Sequence, residues 1–122
     1  MTQAQIVREF PADPASVALL LAGPSATSMW PDVADDPPVV SVGPPMRSGV
    51  GFVVDLTVDD PATGMVRGRL ALVPCGGGTS VTGTSARLVL TSARASATAL
   101  RGRGGQFLDA LSSLAVARSS AA

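Results

Sequence analysis

The chain has 122 residues, 46% of them hydrophobic and only 15% charged, which excludes a disordered polypeptide and provides for one domain with one core. Nine arginines balance nine acidic residues, so no net field draws the protein to nucleic acid or to an anionic membrane. His, Lys and Tyr are absent, which removes the commonest general base, the Schiff-base amine and the phenolic acid, and with them any Ser-His-Asp triad within the chain.

In chain order, Gln3 to Phe10 alternates, with Ala4, Ile6 and Phe10 on one face, and predicts a first strand. Met1-Thr2-Gln3-Ala4-Gln5 shows no basic region followed by an apolar stretch, so no signal peptide is expected. Asp13-Pro14 opens a helix carrying Val17, Leu20 and Leu21, and Gly23-Pro24 stops it. Val17 to Ala22, the longest apolar stretch, is too short to span a bilayer, and the cytosol is the expected compartment. A second short helix or turn over Ser25 to Met29 ends at Trp30-Pro31, and Ala34-Asp35-Asp36-Pro37-Pro38 breaks the chain between elements.

Strand-like runs then follow. Val39 to Gly43 is a short strand closed by a Pro44-Pro45 turn. Gly49 to Val58 is the clearest strand, with Val50, Phe52, Val54, Leu56 and Val58 on a dry face and Asp55 and Thr57 on a wet one. Asp59 to Gly64 has the composition of a hairpin turn. Met65 to Val73 returns with Val66, Leu70 and Leu72 dry and Arg67 and Arg69 wet. The hairpin Pro74-Cys75-Gly76-Gly77-Gly78-Thr79 leads into a Thr- and Val-rich strand from Thr79 to Leu90. From about Ala93 the period becomes helical, with Leu100, Phe107, Leu111 and Leu114 near one face. Gly102, Gly104 and Gly105 each cost a helix about 1 kcal/mol relative to Ala, which predicts a start only at Gln106 or a kink there.

Four segments in order resemble the START-like superfamily, also called the helix-grip or polyketide-cyclase fold. Arg8 to Val17 is similar to its first strand running into its first helix, and Trp30-Pro31-Asp32-Val33 to its tryptophan-containing turn. Pro74 with Gly78-Thr79-Ser80-Val81 resembles its hairpin before the last strand, and Gln106 to Leu111 the core of its closing helix. The resemblance implies a single α+β domain over residues 1–122: a curved antiparallel sheet wrapped around a long C-terminal helix, with one or two short helices after the first strand. With five strand-like runs the chain is an abbreviated member, which implies a small cavity or a sheet edge open to a second copy as a homodimer.

The function this implies is binding of a small hydrophobic ligand, such as a lipid, isoprenoid or polyketide, between sheet and helix. Val50, Phe52, Val54, Leu56, Val66, Leu70 and Leu72 are the expected sheet wall, and Phe107, Leu111 and Leu114 the helix wall. Two alternatives stand beside it: a cyclase or aromatase-like enzyme with Arg8 polarising a carbonyl, and an interaction module with a collapsed cavity. Arg8 has two readings, a cation for a ligand head group inside the cavity or a salt bridge at the sheet edge with Asp109 or Glu9. Trp30 is read as a plug at the cavity mouth or a stacking platform.

Other signals carry little chemistry. Asp35-Asp36 and Asp59-Asp60 adjoin prolines and read as turn residues, so no metal site is expected. Cys75 has no cation beside it in sequence to lower its pKa and reads as an incidental thiol. Gly76 to Ser80 lacks the lysine and following helix of a phosphate loop, and Gly102-Arg103-Gly104-Gly105 lacks the aromatic platforms of an RNA site. No cofactor, nucleic acid or membrane insertion is expected.

Overall fold

The computed structural model describes residues 1–23, 30, 39–60, 64–75 and 83–120. Their elements are β1 (Thr2–Phe10), α1 (Pro14–Ala22), β2 (Val39–Val42), β3 (Met46–Ser48), β4 (Gly51–Asp60), β5 (Gly64–Cys75), β6 (Gly83–Ser92) and α2 (Ala97–Ser120). The fold is α+β: an open antiparallel sheet of six strands, a short helix after the first strand and a long helix at the end. No helix among the described residues is long and apolar enough to cross a membrane. The expected helix at 25–29, the segment 31–38 and the tips of the two hairpins at 61–63 and 76–82 lie outside the described residues.

The sheet order is β1-β6-β5-β4-β2, with β3 also paired to β4. Both β2 and β3 run antiparallel to β4, β2 opposite Leu56 to Asp59 and β3 opposite Gly51 to Val53. They are one edge strand interrupted at Gly43-Pro44-Pro45, because two prolines donate no ladder hydrogen bonds. The chain therefore passes the prolines without reversing, and the reversal lies at Gly49-Val50. There Gly49, at φ +58°, occupies the first central position of a two-residue hairpin, a left-handed conformation that favours glycine. This corrects the expected strand Gly49–Val58: Val50 belongs to the turn and is 76% exposed, and the strand begins at Gly51.

Register explains the core. Across β4 and β5, Phe52 opposes Leu72, Val54 opposes Leu70 and Val58 opposes Val66. On β6, Ala86 and Leu88 continue the same rows, and on β1 Ile6 lies opposite Leu88 and Ala4 opposite Leu90. A period of two puts every one of these side chains on one face. Both helices pack on that face: α2 chiefly against β1 and β6, α1 against β4, β5 and α2.

Asp13 precedes α1 in an extended conformation and Pro14 starts it, where a missing N–H costs nothing. Asp13 accepts a hydrogen bond from the Ser16 hydroxyl and does not cap the backbone. At α2, the Ser96 hydroxyl accepts a 3.1 Å bond from the Ala99 N–H, satisfying one of the free donors of the first turn. The helix is continuous from Ala97, so the expected start at Gln106 is overturned. Packing overrides propensity here. Gly104 is buried, and a Cβ on it would lie 2.7 Å from Ile6 Cδ1 and 2.8 Å from Leu90 Cδ1. The missing side chain brings the helix axis down onto β1 and β6, and the apolar surface buried there outweighs the intrinsic cost.

Candidate functional site

Where the sequence predicts two facing walls, the structure holds a filled interface. Val54, Val66, Leu70 and Leu72 from the sheet and Phe107 and Leu111 from α2 are each 0% exposed, and Leu56 is 2% exposed. A water-sized void beside any of these side chains would leave it some accessible surface, so they are close-packed with their neighbours. Two expected wall residues, Phe52 and Leu114, are half-buried and lie at the margins of this core. Val50 is not on the wall at all.

Trp30 is 3% exposed and its ring packs against Phe107, with centroids 6.0 Å apart and planes tilted by 49°. That tilted geometry is the preferred one for two aromatic quadrupoles and makes Trp30 part of the core. Arg8 does share the face of Ala4 and Ile6, but β1 is the sheet edge, so its guanidinium reaches solvent. It pairs with Asp109 of α2 at 3.4 Å and donates to the Val7 carbonyl at 3.1 Å. Its side chain is 45% exposed and that of Asp109 is 69% exposed. The edge salt bridge is the reading of Arg8 that this geometry matches.

On the wet face, Arg69 and Asp55 lie opposite each other and pair at 2.9 Å. The hydrogen bond from Arg69 to Asp55, and then their attraction, raise the Arg69 guanidinium above its ordinary value. Both side chains are well exposed, so the pair contributes little to stability.

One apolar depression lies on the helix side, between α1 and the β3–β4 hairpin. Ala15, Ala18, Leu19 and Ala22 of α1 face Pro45 and Phe52 across a crevice of about 350 Å³. Its lining side chains carry no charge and no hydrogen-bonding group. Leu19 is 74% exposed at its rim. Of these residues only Phe52 is expected from sequence at a binding site. A signal for the others is present: the helix sequence PASVALLLA is apolar at every position but Ser16. Val17, Leu20 and Leu21 use one face for the core, which leaves Ala15, Leu19 and Ala22 unaccounted for.

This arrangement of sheet and helices recurs among solved structures. The protein TTHA0849 from Thermus thermophilus matches at a TM-score of 0.52 over 96% of this chain and 99% of that one, with 15% identity. The protein CV1439 from Chromobacterium violaceum matches at 0.52 over 94% and 98%, also with 15% identity. At that identity the likeness is one of fold alone, and the fold is compatible with a helix-grip protein. No family model and no curated protein matches the sequence.

Proposed function

We propose that the protein is a helix-grip domain that binds a small apolar molecule on the helix side of its sheet. The crevice between α1 and Phe52 carries this reading. Its lining side chains are all apolar, and at about 350 Å³ it falls within the range of small-molecule sites. The ligand then lies beside the sheet–α2 layer, in contact with Phe52 and the alanines of α1, and not between Leu70 and Phe107. Thermal unfolding with decanol as probe tests it. The wild type is expected to gain stability with rising decanol, and Ala22→Phe, which fills the crevice from an exposed position, to gain none. No gain in the wild type, or an equal gain in the variant, would overturn the assignment.

A second reading is favoured by a separate observation. Complete exclusion of solvent from Val54, Leu70, Leu72, Phe107 and Leu111 is what an interaction module with a collapsed cavity requires. In that case the same crevice takes an apolar side chain of a partner protein, and free decanol has no effect. A cyclase-like reaction has less support, since Arg8 is engaged by Asp109 at the rim.

A further inference from the structure

We infer that the crevice selects an anionic amphiphile, a medium-chain carboxylate type of ligand, with Arg47 holding the head group. The inference rests on the crevice being a binding site and adds the chemistry of its occupant. Arg47 of β3 lies directly opposite Phe52 of β4. Directly opposed residues of an antiparallel pair project from the same face, with Cβ atoms about 4.5–5.5 Å apart. Phe52 lines the crevice and so does Pro45, two residues before Arg47. Arg47 does not itself line the trough, but it stands exposed on the same side of the sheet as Phe52, one strand further out, where a long side chain can turn toward a head group at the trough's Phe52 end.

Among the described residues nothing else claims that cation. Arg8 is held by Asp109 and Arg69 by Asp55, whereas no described carboxylate pairs with Arg47. Asp13, before α1, accepts the Ser16 hydroxyl. The trough itself presents only aliphatic and aromatic side chains, so a ligand group needing a hydrogen bond would be left unsatisfied inside it. A flexible alkyl chain meets that lining, and a carboxylate at its end matches the planar fork of a guanidinium.

Calorimetric titration with decanoate, decanol and decyltrimethylammonium, below their aggregation concentrations, tests the head group. Decanoate is expected to bind about fivefold tighter than decanol at low salt, the strength of a surface ion pair, and the cationic amphiphile weakest of the three. Lengthening octanoate to decanoate is expected to tighten binding by up to about fifteenfold, as two buried methylenes allow. Arg47 is exposed on an edge strand, so Arg47→Gln and Arg47→Glu are expected to keep the wild-type circular dichroism and melting point. Arg47→Gln should abolish the preference for decanoate over decanol, and Arg47→Glu should reverse it in favour of decyltrimethylammonium. Equal affinities of decanoate and decanol for the wild type, or a preference that survives Arg47→Gln, would overturn the role of Arg47 and leave the apolar site standing. Failure of all three amphiphiles to bind would remove both.

Discussion

The two helices lie on the same face of one sheet and end up with opposite surfaces. Beneath α2, Leu88, Leu90, Phe107 and Leu108 are all 0% exposed, and Gly104 lets the helix settle until nothing separates it from β1 and β6. Beneath the outer side of α1, Phe52 is only half-buried and a crevice remains. Side-chain size and element length account for the difference. α2 spans 24 residues and sends Leu100, Phe107, Leu108 and Leu111 into the sheet, with a glycine where the backbones must approach. α1 spans nine residues, and where it turns toward β4 it offers three alanines, Ala15, Ala18 and Ala22, beside one exposed Leu19, and a crevice is left before Phe52. Close packing needs matched volumes on both sides of a gap; alanines facing a strand across a groove leave space. A tightly packed side stabilises the domain, and the loosely packed side is where the proposed ligand would sit.

Substitutions can break or sharpen this contrast. The largest effect is expected for Phe107→Ala, which empties the centre of the sealed side and touches Trp30 as well; a loss of about 3–5 kcal/mol in denaturant unfolding is expected. Gly104→Val puts methyl groups where Ile6 and Leu90 already stand, and should cost about 1–3 kcal/mol by the same measurement. Gly102 in the same helix has open space where a Cβ would sit, so Gly102→Ala should raise stability by about 0.5–1 kcal/mol. Opposite signs for two glycines only two residues apart, on different faces of one helix, would establish that close approach, and not helix propensity, explains Gly104. On the loose side, Ala22→Phe should move stability by less than about 0.5 kcal/mol while abolishing decanol binding. The smallest effect belongs to the wet-face pair. The raised Arg69 value means its contribution is fully present below the ordinary arginine range and is lost only as pH climbs above it. The melting point should therefore show no titration of Arg69 across the neutral range.

Much of this architecture is legible in residue order. The alternation of Val54, Leu56 and Val58 and of Val66, Leu70 and Leu72 identifies the dry face, because the strand period admits no other arrangement once one face is wet. Asp13-Pro14 and Gly23 mark the ends of α1 for equally local reasons. Sequence reasoning goes astray where a non-local contact decides. Val50 continues the alternation perfectly, yet the β3–β4 hairpin needs it in the turn, and β3 is too short to announce itself. The glycines of α2 look like a helix start because their partners, Ile6 and Leu90, come from other elements. Arg8 looks buried because its place at the sheet edge is a property of topology and not of alternation. The crevice is invisible for the same reason: alanines look like filler until the distance to Phe52 is set by the fold.

Methyl and backbone chemical-shift mapping during a decanoate titration is the most direct test of a sealed side and an open side on one sheet. The account predicts saturable shifts at Ala18, Leu19, Ala22, Arg47 and Phe52, with Leu70, Leu88 and Leu111 unmoved. Shifts centred on Leu70, Leu88 and Leu111 would mean that the sheet–α2 layer opens to admit the ligand, and would contradict it.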